Sequence, residues 1–525
     1  MLLPLIDSVT GGQANSLQMA VGGSAIYLSL PKPTVTEDQQ ILGEAGMAIL
    51  KELHPDSAYR LDLFIQLAEQ ADKILKSGRT PAQSNDQLIA MAVTGWLKGK
   101  NGASADVAMA VRCWKARVLL TKFLSEELMN ERAKLVNQYV ATHPTIPFDE
   151  LAQIISLLPP SQPLDSEKPG TPSTVEGVWM RNTGQVADRA AGVDYAIHIP
   201  PEYQPGRSYP LLIALAPYNA PPAELVARLI PEADRNGYIV VCPSWAHKMG
   251  KSGLYDFSGD AHSVVIDTLR DAIRHVNVDS DRVMLFGLAD GASFALDMAA
   301  GHPDLFAAVA PFGAYPRLDV FMDYWSNLQK VPVYAVTGEL ASDGLKITYD
   351  MFQKMLKAGF PSLLTVYKGR AIELYSAELE PMFSWFNKRV RPPTSTMVKP
   401  LKGLSFNWLT MRNTDNRFYW LSLDKISEGN LMKEKRAAFP AGISPDIQTG
   451  NMVKVNTRGI RKFTILFERD MIDWTKPLYF NVNGNTPPGY KPKILQPDLN
   501  VLLDEFLASG DRKRIFLQKL VFNGF

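Results

Sequence analysis

The spacing of apolar residues changes twice along this chain, and each change marks a different kind of structure. From about Ile41 to Leu158, apolar side chains recur three and four positions apart, the period of an amphipathic helix. The pattern is clearest over Ala58–Leu75 and Asp106–Val140. The second segment has neither proline nor glycine and predicts one helix about 50 Å long at 1.5 Å per residue. Val118, Leu119, Leu120, Phe123 and Leu128 give it a broad apolar face, so a packed helical layer is expected. No self-similar period of the kind found in repeat arrays is present.

Pro159-Pro160-Ser161-Gln162-Pro163 through Pro169-Gly170-Thr171-Pro172 then predicts a linker over 159–177. Beyond it come short apolar runs at Tyr195–Ile199, Leu211–Leu215, Tyr238–Cys242, Val283–Phe286, Ala307–Ala310, Val333–Val336 and Leu363–Val366. Helical stretches, Ala261–His275 and Ser293–Ala300 among them, separate the runs. This texture predicts a mostly parallel sheet with crossover helices over 178–395. After Pro392-Pro393 the pattern alternates, as in 416–423, Lys462–Phe467 and Leu478–Val482, the last ending in the turn Asn483-Gly484. Antiparallel strands are expected there. A short helix opened by Pro497-Asp498 and closed by Gly510 follows, then a last strand over Arg514–Phe522. The fold class expected is α/β at the centre, an all-α N-terminal region over 1–158 and an α+β C-terminal domain over 396–525.

Charge removes some functions from consideration. Lys and Arg number 55 against 54 Asp and Glu, a formal charge of +1, and no basic run stands out, so nucleic acid is not an expected partner. Cys113 and Cys242 lie far apart, without metal-ligand spacing, and read as buried thiols. No stretch approaches the roughly 20 apolar residues of a membrane span. The first residues carry no basic group before Lys32, and Asp7 interrupts the apolar start, unlike a signal peptide. The expectation is a cytoplasmic protein, or an extracytoplasmic one if the chain begins upstream.

The candidate chemistry lies at Gly287-Leu288-Ala289-Asp290-Gly291, directly after the apolar run Arg282–Phe286. Together with Tyr209–Leu215, Asp279-Ser280-Asp281-Arg282-Val283 and Gly301-His302-Pro303-Asp304-Leu305-Phe306-Ala307, it makes residues 178–391 resemble the α/β-hydrolase superfamily. The resemblance is strongest to its prolyl-oligopeptidase-like, esterase D-like and polyhydroxybutyrate depolymerase-like branches. The flanking regions resemble those of bacterial proteins built around such a block. The resemblance implies a serine esterase or peptidase, with Ser, Asp and His contributed in that order. Here Ala289 stands where the serine is expected. Ala341, in Gly338-Glu339-Leu340-Ala341, stands where the aspartate is expected, and Ile372, in Gly369-Arg370-Ala371-Ile372-Glu373, takes the histidine position.

The missing base does not depend on that alignment. Seven histidines are present and the last is His302, so no imidazole follows the final strand of the sheet. His302 reads as structural, and His262 and His275 as surface residues of a crossover helix. The oxyanion loop is Ala216-Pro217-Tyr218-Asn219, where Pro217 supplies no N–H. Tyr218 and Asp290 N–H groups remain as a weak anion site, opposed by the Asp290 carboxylate. Asp290 as nucleophile would put Leu288 where the turn needs a small residue. Ser293 falls within the helix, and no His, Asp and Glu set shows metal-ligand spacing.

What remains is a cleft above the carboxyl ends of the strands. Tyr218, Asp290, Asp343, Arg370 and Glu373 are its candidate binding residues, with Arg370 and Glu373 also readable as an ion pair holding their loop. The reading is a hydrolase-like binding or scaffolding module without an intact triad, a metal or a cofactor. A small molecule, peptide or glycan would occupy the cleft, and the N-terminal helical region offers a surface to a protein partner. The alternatives are an esterase or peptidase with an unorthodox site, and a surface polysaccharide-binding protein using Trp408, Phe418, Trp420 and Trp474.

Overall fold

The computed structural model describes residues 17–21, 24–28, 36–52, 77, 81–143, 146–165, 168–185, 191–218, 220–245, 255, 257, 259–315, 325–341, 343–398, 406–432 and 439–523. The helix expected over Ala58–Leu75 lies outside them. The chain forms two compact units, Met1–Ser161 and Gln162–Phe525.

The first unit is not wholly helical: β1 (Leu17–Val21) and β2 (Ser24–Leu28) form an antiparallel hairpin. Helices α1 (Glu37–Glu52), α2 (Pro81–Lys98), α3 (Val107–Ser125), α4 (Met129–Thr142) and α5 (Phe148–Ser156) follow. The Asp106 carboxylate caps α3 by accepting the Met109 N–H. Leu119, Leu120 and Phe123 are among its buried residues, as the apolar pattern requires. The single long helix expected over 106–140 is two. At Glu126 the backbone turns extended (φ −78, ψ 133), and the Glu126 carboxylate takes the Leu128 N–H that a continuous helix would give to a carbonyl.

In the second unit, β3 (Thr171–Pro172), β4 (Trp179–Asn182), β5 (Asp194–His198), β6 (Tyr209–Leu215), β7 (Ile239–Pro243), β8 (Val278–Leu288), β9 (Ala308–Phe312), β10 (Val333–Gly338) and β11 (Ser362–Tyr367) make one sheet. Its order is β11-β10-β9-β8-β6-β7-β5-β4-β3. Strands β6 to β11 are parallel, and β3 to β5 pair antiparallel at one edge. Such a sheet, covered on both sides, fits an α/β-hydrolase fold.

Helix α6 (Pro222–Asn236) covers one face and α7 (Gly259–His275), α8 (Asp290–Gly301) and α9 (Asp343–Lys357) the other, while α10 (Leu379–Phe386) lies with α6. Leu211, Ile213 and Leu215 point to the α7–α9 side, and Leu212 and Ala214 to the α6 side. Burial on both sides explains the unbroken apolar runs. The segment expected as a linker is held along this unit: Gln162 and Leu164 donate to the carbonyls of Arg274 and His275, and 171–172 form the edge strand.

The remaining elements are β12 (Trp408–Thr410), β13 (Arg417–Phe418), β14 (Leu421–Ile426), β15 (Ala441–Gln448), β16 (Met452–Arg458), β17 (Ile460–Phe467), β18 (Tyr479–Val482), α11 (Leu499–Ser509) and β19 (Gln518–Asn523). The strands form two four-stranded sheets, β12-β15-β16-β18 and β13-β14-β17-β19. Two expectations are corrected. The stretch 416–423 is a hairpin turning at Tyr419 (φ 57), and β16 pairs with β18 in parallel.

The loop after β12 enters the unit through a buried charge cluster. Arg412 donates to Asp297 of α8 and to Asp415, each at 2.7 Å. His262 of α7 lies between the same carboxylates, 3.0 Å from Asp415 and 3.2 Å from Asp297, and the Tyr255 hydroxyl also donates to Asp297. His262 is therefore fully buried rather than exposed, and His275 is half-buried, with Nδ1 against the Gln162 carbonyl. Two carboxylates, one guanidinium and one imidazolium balance to zero, which is what permits complete burial.

Burial opposes charge on His262, but the facing carboxylates, Asp415 foremost, hold it above its ordinary 6.5. Burial would raise Asp297, yet Arg412 and His262 hold it down at about 2, and the same partners hold Asp415 well below 3.8. The imidazolium's contribution is complete below 6.5 and fades as pH rises through its raised folded value. The carboxylates' contribution is complete above 3.8 and fades as pH falls through their lowered values. Denaturant unfolding across pH is therefore expected to show the cluster strongest between 3.8 and 6.5, with His262→Asn flattening the alkaline decline. Arg412→Ala, which leaves two buried carboxylates to one imidazolium, should cost about 3–5 kcal/mol in the same measurement.

Candidate functional site

The site is built on the junction of β8 and α8. Ala289 sits between them at φ 53 and ψ −116, a conformation rare for a residue with a side chain, and its N–H donates to the Phe312 carbonyl at 2.9 Å. The two glycines make this turn sterically possible. A Cβ on Gly287 would lie 2.1 Å from the Gly291 carbonyl oxygen, and one on Gly291 would lie 2.1 Å from that of Leu215 at the end of β6. The tight strand-to-helix turn that presents a nucleophile is present, and the atom it presents is a methyl carbon.

Two further loops arrive at the same end of the sheet. The loop after β10 carries Ala341, and the loop after β11 carries Ile372. Leu340 donates to the Arg370 carbonyl and Gly369 to the Glu339 carboxylate, both at 2.9 Å, so the two loops are tied together. Ile372 lies over Gly313, where its Cγ2 would be 2.5 Å from an added Cβ. Gly313 follows the Phe312 whose carbonyl anchors Ala289. The fold thus brings three hydrocarbon side chains, Ala289, Ala341 and Ile372, to loops where the resemblance implies a hydroxyl, a carboxylate and an imidazole.

The candidate binding residues behave differently from one another. The backbone N–H of Tyr218 is directed at the Asp290 carboxylate. Burial raises the Asp290 pKa, and this N–H offsets part of the rise. The carboxylate therefore takes a donor that an oxyanion would need. Ser293 is buried, and its Oγ accepts the Tyr315 N–H at 2.8 Å, a structural role. Arg370 and Glu373 form an exposed ion pair at 2.8 Å, with the guanidinium holding the Glu373 carboxyl below its usual range. The Asp343 side chain lies outside the described residues, and its backbone begins α9.

Sequence reasoning missed the cluster of His262, Asp297, Arg412 and Asp415. One signal was available: Asp297 interrupts an otherwise apolar stretch of α8, Phe294-Ala295-Leu296-Asp297-Met298-Ala299-Ala300, all of it buried. His262, His302 and Asp415 also place ligand-type atoms within 4.8 Å of one another, a grouping that sequence spacing did not suggest. Arg412 stands 2.7 Å from Asp415 and 3.3 Å from His262, so a guanidinium already supplies the cation there and the set does not fit a metal ion. The aromatic residues of the C-terminal sheets do not form an exposed platform. Trp408, Phe418 and Trp420 are 1%, 0% and 0% exposed and belong to the core, and the half-buried Trp474 donates to the Arg469 carbonyl.

No family model matches this chain, and none of the curated proteins does. Among solved structures, it is similar to a thermostable esterase at 16% identity and a TM-score of 0.35, over 41% of this chain and 64% of the esterase, less than two thirds of its length. It is similar to an S-formylglutathione hydrolase from Agrobacterium tumefaciens at 17% identity and a TM-score of 0.34, over 42% of this chain and 98% of that one. The fluorophosphonate-binding serine hydrolase F of Staphylococcus aureus is similar at 9% identity and a TM-score of 0.33, over 40% and 97% of the two chains.

The turn geometry makes two opposite predictions for thermal or denaturant unfolding. Ala289→Gly, which admits this φ without a Cβ penalty, should raise stability by about 1 kcal/mol. Gly291→Ala should lower it by several kcal/mol, since backbone rather than a flexible side chain blocks the new methyl group.

Proposed function

We propose that the block around β6–β11 is a hydrolase-like module that no longer performs acyl transfer and serves as a binding and scaffolding element. The observation that carries this reading is the strained turn at Ala289, kept intact while all three positions around it bear hydrocarbon. Acyl transfer at such a site needs a nucleophile, a base to deprotonate it and donors for the oxyanion. Ala289 offers no nucleophile, Ile372 no base, and the Tyr218 N–H is engaged by Asp290. Losses within a triad are strongly non-additive, so restoring one member restores little. The scaffolding half of the reading has its own support, since α7 and α8 hold the loop at Arg412–Asp415 through buried charge.

A second reading, hydrolysis through an unorthodox site, has one observation on its side. Asp290 is a half-buried carboxyl at the turn with a raised pKa. In that reading it would act as nucleophile or base on an ester or peptide.

Fluorophosphonate labelling and turnover of short-chain nitrophenyl esters separate the two. The expected result is no labelling, with turnover equal to the protein-free background and unchanged in Ala289→Gly, Ala289→Ser and Asp290→Asn. Turnover clearly above the protein-free background and lost in Asp290→Asn would overturn the non-catalytic reading in favour of the second.

A further inference from the structure

A cavity of about 290 Å³ lies at the end of the sheet away from the Ala289 turn. Its position follows from chain direction. Ser280 and Val283 near the start of β8 line it, as do His302, Asp304 and Leu305, which come after α8 has run back along β8. The opposite wall comes from the β13–β14 hairpin and α11.

Two charged groups on its wall, Asp304 and Arg514, make no side-chain ion pair at bonding distance among the described residues. Asp304 is 7% exposed, and its carboxylate Oδ1 has no hydrogen-bond partner. The neighbouring guanidiniums of Arg391 and Arg514 bond instead to its main-chain carbonyl, both at 2.9 Å. Arg514 is 8% exposed, donates otherwise to the Pro392 carbonyl and lies over the Tyr419 ring, and it meets no carboxylate at ion-pair distance among the described residues. The other arginines of the wall face carboxylates, Arg391 those of Asp281 and Asp511, Arg417 that of Glu505 and Arg270 that of Asp267 at 4.0 Å. Burial pushes the Asp304 carboxyl up, and the charges of His302, Arg417 and Arg514 offset part of the rise without closing on it, so a carboxylate and a guanidinium share one cavity beyond bonding distance, an arrangement that a bridging ligand would stabilise. The rest of the wall includes hydrocarbon from Ile266, Leu269, Leu305 and Phe516.

We propose that this cavity binds a free α-amino acid with an aliphatic or aromatic side chain. Its ammonium group meets Asp304, its carboxylate meets Arg514, and its side chain lies on the apolar wall. At about 30 Å³ per water-sized group, the cavity holds roughly ten non-hydrogen atoms, the size of leucine or phenylalanine. The site is separate from the Ala289 turn, so the outcome of the esterase experiment does not bear on it.

The test is calorimetric titration of the full chain with L-leucine and L-phenylalanine. The controls are 4-methylpentanoate, which lacks the amine, and 3-methylbutylamine, which lacks the acid. At least one amino acid should bind with a Kd under about 1 mM, and each control at least about tenfold more weakly, a factor worth 1.4 kcal/mol. Asp304→Asn and Arg514→Gln should each weaken binding by about tenfold or more. Arg514 is buried, so a second variant guards against misfolding. Ala508 lines the cavity from an exposed position on α11, and Ala508→Trp should abolish binding while leaving the melting curve intact. Neither amino acid binding at about 10 mM, controls binding as well as the amino acids, or binding that survives Ala508→Trp would each overturn the proposal.

Discussion

The structure of the central block depends on how closely three backbones approach at the Ala289 turn. The end of β6, the end of β8 and the first turn of α8 meet at distances that leave room for hydrogen alone at Gly287 and Gly291. Because they meet so closely, α8 lies flat along the sheet, and its buried face, Ala292 through Ala300, fills one side of the core. A strained backbone persists only where surrounding contacts over-determine it. Here those contacts are the packing of the sheet itself, so the conformation does not depend on which side chain stands at the turn. The geometry of such a turn is therefore weak evidence for its chemistry, and the side chains have to be read separately.

Two polar regions in the same unit handle buried charge in opposite ways. Around His262 the charges close on one another, with every carboxylate facing a cation from another element. Around Asp304 and Arg514 they do not close: the arginines reach main-chain carbonyls and leave the carboxylate aside. The first arrangement is complete without a ligand and acts as cohesion. The second is incomplete, and an incomplete set of buried charges points to a binding partner more strongly than a complete one.

Much of this was legible in the sequence, for a physical reason. Strands covered on both faces need unbroken apolar runs, so β6 to β10 announce themselves, and a close strand–helix crossing needs glycine at fixed spacing. The hydrocarbon side chains at Ala289, Ala341 and Ile372 were visible because local loop motifs frame them. Features set by distant partners were not visible. His262 is buried by Asp415, 153 positions further on, and helical periodicity alone made it look like a surface residue. The break at Glu126 turns on one side chain capturing one N–H, which apolar spacing does not register. The turn at Tyr419 was hidden because all three residues of Phe418-Tyr419-Trp420 are buried, so the alternation expected of a strand did not fail there.

The charge cluster at Arg412 also decides where the chain can be divided. The carboxylate of Asp297 and the imidazole of His262 belong to the helices of the central sheet, while the guanidinium that neutralises Asp297 lies beyond Pro393 in the chain. A chain cut there would part Arg412 from Asp297 and Asp415 from His262, leaving the Asp297–His262 pair on one side and the Arg412–Asp415 pair on the other. The two blocks are joined by buried charge at a place where sequence composition suggests a seam.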